Sequence, residues 1–154
     1  MPPGHVIDDH DLTMWVANEV TNAGAFWSSH PVPQFQYIAK SIGTSDVEAV
    51  ELADHEITFF ADQSTLKIEF QATQTGTGWD FTTYWFHYRT TTRKCVFRYD
   101  KHPEHYAERK WGSQCHLHLG GGRRRQMRSS PEVELDQVLD AILRYQQTGV
   151  FVTI

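Results

Sequence analysis

Five of the nine histidines of this chain, His87, His102, His105, His116 and His118, lie within thirty-odd residues of one another, among Arg89, Arg98 and Asp100. Imidazole is the side chain that most readily exchanges a proton near neutral pH. A neutral histidine can take the proton of a ribose 2′-hydroxyl, while a protonated one gives a proton to the leaving 5′-oxygen. An arginine can offset the charge that develops on phosphate, and an aspartate can orient a histidine or hold its charged form. His116 and His118 are the expected acid and base, with His105 as substitute and Arg98 and Asp100 completing the catalytic set. His87, Arg89, His102, Arg123, Arg124, Arg125 and Arg128 are the expected substrate contacts. Such a set suits metal-independent cleavage of RNA, with no cofactor. Two alternatives stay open. One is a zinc-dependent nuclease, since His102, His105, Cys115, His116 and His118 are all possible ligands, although no Cys-x-x-Cys accompanies them. The other is a non-catalytic binding or regulatory module with a basic docking face.

Charge is distributed in keeping with an anionic ligand. The net charge is only −5, yet residues 89–128 hold eleven of the fourteen Lys and Arg residues, with Asp100, Glu104 and Glu108 as their only acidic company. Residues 1–88 carry just Lys40 and Lys67. A basic stretch inside an acidic chain points to RNA or an acidic protein segment as partner. Arg123, Arg124, Arg125 and Arg128, after Gly120 to Gly122, would make phosphate contacts whose strength falls with salt.

The elements that must position these groups are legible in the pattern. A chain of 154 residues, 40% apolar and 13% aromatic, is the size of one domain with a sizeable core. No apolar run approaches the roughly 20 residues that span a bilayer, and Met1 to Asp11 lacks a basic segment followed by an apolar one. A cytoplasmic protein with no membrane partner is expected, with Cys95 and Cys115 as free thiols. Leu12, Trp15, Val16 and Val20 mark a first helix behind Asp11, ending near Gly24. Phe35, Ile38, Ala39 and Ile42 repeat at helical spacing and predict a second. From Val47 the period becomes two, over Val47 to Leu52, Glu56 to Ala61 and Leu66 to Ala72. The fold class expected is α+β. A single domain holds an antiparallel β-sheet meander of about five to six strands, a C-terminal helix packed on one face and one or two short N-terminal helices. Residues 1–45 form a helical extension to a domain spanning 46–154.

Trp79 to Arg89 and Lys94 to Asp100 read as a hairpin with two chemically different faces. Thr82, Tyr84, Phe86 and Tyr88 pair with Cys95, Phe97 and Tyr99 on a core face. His87, Arg89, Lys94, Arg98 and Asp100 share the other with Thr83 and Trp85. A slip of one residue would turn Arg98 into the core, at a cost of several kcal/mol. Cys115-His116-Leu117-His118-Leu119 alternates likewise, so its histidines should emerge beside Arg98 and Asp100. Ser129 or Ser130 caps a closing helix, with Pro131 in its first turn, a stripe of Leu135, Val138, Leu139 and Ile142, and Gly149 past its end. Val150 to Ile154 is left for an edge strand or an interface, with a homodimer as one open assembly.

Taken in order, Tyr84 to Arg89, Arg98-Tyr99-Asp100, His102 to His105, His116-Leu117-His118-Leu119-Gly120 and the helix from Pro131 to Tyr145 resemble the TumE-like toxins of type II toxin-antitoxin pairs. The resemblance spans Val47 to Leu143. It departs at Lys101, where the family often has Asn, and in the split of an adjacent His pair into His102 and His105. What it implies is a toxin held inactive by a cognate antitoxin that carries a helix-turn-helix.

Overall fold

The computed structural model of the protein describes residues 9–40, 48–75, 78–103, 114–120 and 126–154. Its elements run α1 (Asp9–Asn22), β1 (Ala25–Trp27), β2 (Gln36–Lys40), β3 (Glu48–Phe59), β4 (Thr65–Thr75), β5 (Gly78–Arg89), β6 (Cys95–Lys101), β7 (Cys115–Leu119), β8 (Gln126–Ser129) and α2 (Leu135–Thr148). The strands form one antiparallel sheet in the order β1-β3-β4-β5-β6-β7-β8, with β2 also paired to β3. Seven strands in sequence along the sheet, plus β2 at its edge, exceed the five to six expected. The extra strands are short edge pieces whose few residues carry little alternation to read, Ala25–Trp27 and Gln126–Ser129 among them.

The second N-terminal helix is replaced by β2, which pairs Gln36 with Glu51 and Tyr37 with Val50. An isolated helix of two turns is marginal, whereas β3 offers a row of backbone partners there. Phe35 keeps the packing role its spacing suggested, against Phe70 at 5.7 Å. Likewise the two strands expected over residues 47–61 are one strand interrupted by a bulge between Leu52 and His55. Val50 and Leu52 face the core before the bulge, Ile57 and Phe59 after it. The bulge absorbs the change of parity, with Asp54 at φ 55°.

A second bulge, between Gln71 and Ala72, lies opposite Thr82 in β5. Trp79 and Phe81 are buried on one side of it, Tyr84, Phe86 and Tyr88 on the other. Thr82 therefore leaves the core face assigned to it, and its hydroxyl donates to the Gln71 carbonyl at 3.3 Å.

Both helices lie over the same side of the sheet. Leu12, Val16 and Val20 of α1 and Leu135, Val138, Leu139 and Ile142 of α2 join Phe70, Phe86, Phe97 and Tyr99 in one core. α2 starts later than the serines suggested. Glu134 is its cap, donating its N–H to Gln137 Oε1 at 2.8 Å. Gly149 ends it at φ 70° with its N–H on the Tyr145 carbonyl at 2.7 Å, a left-handed turn that favours glycine. The last residues are no strand. Phe151 stacks on Phe97 at 4.5 Å, and the Ile154 N–H donates to the Tyr99 hydroxyl at 3.1 Å. No helix of the described residues is long and apolar enough to cross a membrane.

Since Ile142 is fully buried in this core, Ile142→Val is expected to cost about 1 kcal/mol. A shift of the urea midpoint with unchanged slope is the measurement that checks it.

Candidate active site

The helices leave the opposite side of the sheet to polar side chains. Cross-strand register sets them in rows: Lys67, His87, Arg98 and His118 in one, and Glu69, Trp85, Asp100 and His116 in the next. Strand alternation alone sends Arg98 and Asp100 to the side opposite Phe97 and Tyr99. The pairing of Arg98 with His118 and of Asp100 with His116 then brings both histidines to the same carboxylate.

Asp100 is the centre of the cluster. His118 Nε2 donates to its Oδ2 at 2.9 Å, and Arg98 Nε reaches the same oxygen at 3.2 Å. His116 Nδ1 lies 3.3 Å from Oδ1. Burial by itself pushes this carboxyl up, since Asp100 is 4% exposed. The hydrogen bond from His118, with the charges of His118, Arg98 and His102, outweighs burial and holds the group below the ordinary 3.8. With Nε2 donating to Asp100, a neutral His118 carries its lone pair on Nδ1, and Arg98 Nη2 stands 3.0 Å from Nε2 and 3.3 Å from Nδ1.

The two histidines of β7 differ in access. His116 is 2% exposed, whereas the His118 side chain retains 13%. His102 follows β6, with its N–H on the Gln114 carbonyl at 3.0 Å, and borders Asp100. His87 shares the row of Arg98, its ring 5.5 Å from that of Trp85. Arg89 is on this side too, further along β5 and bound to Glu56 at 2.7 Å.

Arg128 is not brought to the cluster. It pairs with Leu117, which faces the core, and its charge acts on the Tyr99 hydroxyl, which meets Ile154 on the helical side. His105, Arg123, Arg124 and Arg125 lie outside the described residues. Among the possible zinc ligands, Cys115 alternates away from His116 and His118, beside Tyr84, and burial pushes its thiol up. Among the described residues no three His, Cys, Asp or Glu side chains are grouped to hold a metal ion. Lys101 also turns to the helical side and binds Glu132 at 2.7 Å and the Phe81 carbonyl at 2.9 Å.

Sequence reasoning overlooked the neighbours contributed by β3 and β4. Lys67 binds Glu69 at 2.9 Å and Asp54 at 3.1 Å, and its ammonium stands 4.9 Å from the Trp85 ring, with Arg98 at 5.7 Å. The signal was present in the alternation of Leu66 to Ala72, whose polar positions Lys67, Glu69 and Gln71 had to share the face of Trp85. These carboxylates make the sheet surface mixed in charge. Arg89, Arg98 and Lys67 all stand in ion pairs, so the basic sequence stretch does not become a uniformly basic face among the described residues.

Comparison with curated proteins and with solved structures returned no match. The profile of the family described as Toxin TumE matches residues 34–146, from the strand that precedes β3 to the last turn of α2. That span covers well over half of the chain and every described member of the cluster, and the chain belongs to the TumE toxin family.

Proposed function

We propose that this toxin acts as a metal-independent ribonuclease, with Asp100, His118 and Arg98 as its working centre. The observation that carries the reading is the Asp100 carboxylate, held ionised within the sheet and bound at 2.9 Å to a histidine that retains solvent access. His118 exchanges the proton. Nδ1 takes it from the ribose 2′-hydroxyl, the 2′-oxygen bonds to phosphorus, and the 5′-oxygen leaves with a proton from a second donor. His102, beside Asp100, is the described histidine best placed to supply it. The products are a 2′,3′-cyclic phosphate and a 5′-hydroxyl. Arg98 can turn from the ring of His118 toward the phosphate, whose charge grows in the transition state. His116, being almost fully buried, serves as a positioning residue for Asp100. Membership of a toxin family implies an antitoxin partner, and we place a cognate helix-turn-helix protein in that role.

RNA cleavage by the purified protein is expected to persist in EDTA and to leave cyclic phosphate ends, read by gel and mass spectrometry. A requirement for added zinc, or intact RNA beside continued growth inhibition, overturns the reading.

A second reading has its own observation. Asp100 and His116 are 4% and 2% exposed, which suits a polar tie between β6 and β7 beneath a surface that docks a partner. In that case the cluster holds the fold and touches no substrate.

A further inference from the structure

Beside the cluster the polar face is hollow. A cavity of about 300 Å³ lies over β3, β4 and β5, lined by Glu51, Glu69, Gln71, Thr83, Trp85 and His102. This volume is at the lower end of the range for small-ligand sites. Trp85 joins the cavity to the cluster, because it is the cross-strand partner of Asp100, and Arg98 packs against its ring. From Trp85 on β5 to His118 on β7 is two strand spacings across and one row along, roughly 12 Å.

We infer that this cavity is a base pocket for guanine, seating the nucleotide whose phosphate meets Arg98 and His118. The inference rests on the ribonuclease reading for the phosphate, and on the cavity alone for the base. Single-stranded RNA is read by splaying bases against aromatic side chains and bonding their Watson–Crick edges. Trp85 provides the aromatic wall, a contact that any base can use. Preference comes from the polar lining, which is rich in acceptors: the carboxylates of Glu51 and Glu69 and the amide oxygen of Gln71. Guanine presents two adjacent donors, N1–H and N2–H, which a carboxylate accepts with two parallel bonds. Uracil presents one donor between two carbonyl oxygens, and those oxygens would face the carboxylates. Glu69 is already fixed, with Lys67 on Oε1 at 2.9 Å, so little side-chain freedom is lost on binding.

The test uses the full chain carrying His118→Ala, which suppresses cleavage, and the four nucleoside monophosphates as probes in calorimetry. GMP is expected to bind at least tenfold tighter than UMP. Glu69→Gln should reduce that preference to within threefold, and Trp85→Ala should weaken all four probes about tenfold. Trp85→Phe, which keeps an aromatic wall, should retain the preference for GMP. Equal affinity for the four probes, or a preference unchanged by Glu69→Gln, overturns the pocket. Mapping RNA cut by the unmodified protein separates the two readings. Cuts spread evenly over all four bases overturn the pocket and leave the nuclease standing. GMP binding with the expected preference, in a protein that never cuts RNA, supports the pocket and removes the nuclease.

Discussion

His118→Ala is expected to lower the rate of RNA cleavage by about 10²- to 10⁴-fold, the range over which a positioned proton-transfer group acts. Growth inhibition on expression should disappear with it. The variant should still fold, because Arg98 remains on Asp100 at 3.2 Å and the strand pairing of β6 with β7 does not involve the imidazole. Losing one hydrogen bond to a charged group costs about 2 kcal/mol, which circular dichroism and a denaturation curve will register. A folded variant that keeps its activity within threefold removes His118 from the chemistry and favours the structural tie. His116→Ala provides the contrast. As a positioning residue its loss should alter the pH profile of cleavage as well as its rate, whereas a merely structural role would change stability alone.

Asp100→Asn is expected to have the largest effect on stability. It leaves Arg98, His116 and His118 facing one another across β6 and β7 without the carboxylate that offsets them. Breaking one partner out of a buried ionic set costs about 3 kcal/mol. The carboxyl also gives the protein an acid limb. Its value in the fold lies below 3.8, so the stabilisation it provides is complete above that pH and is lost as pH falls through the lower, folded value. Urea midpoints for the unaltered protein should therefore decline below about pH 4, and the Asn variant should lack this part of the decline. Equal midpoints for the two proteins at pH 7 would show that the cluster contributes nothing to the fold.

Much of this arrangement follows from sequence because strand alternation is a two-way choice enforced by the core. Phe97 and Tyr99 must face the helices, so Arg98 and Asp100 lie on the opposite side; Leu117 must face them too, so His116 and His118 share that opposite side. The stripe of Leu135, Val138, Leu139 and Ile142 was equally decided, since a helix covering one side of a sheet needs one apolar face. Where a bulge intervenes, that logic fails. The parity changes at Leu52–His55 and at Thr82 leave no trace in composition, because the extra residue is accommodated by pairing with a distant strand. The same cause turned the expected helix around Phe35 into β2, whose partners on β3 lie eight to fifteen positions away.

The histidines, Arg98 and Asp100 were thus named by sequence, and local alternation determined which face they share. Tertiary structure alone decided which of them meet. Register between β6 and β7 set both histidines on one carboxylate, and the depth of the sheet buried His116 more than His118. The path of β8 turned Arg128 to the helical side. Through the position of β3 and β4, the cavity beside Trp85 acquired Glu51 and Glu69, acidic residues from the part of the chain where charge counting looked for no site at all. Distances of this kind depend on long-range pairing, and one-dimensional periodicity carries no information about it.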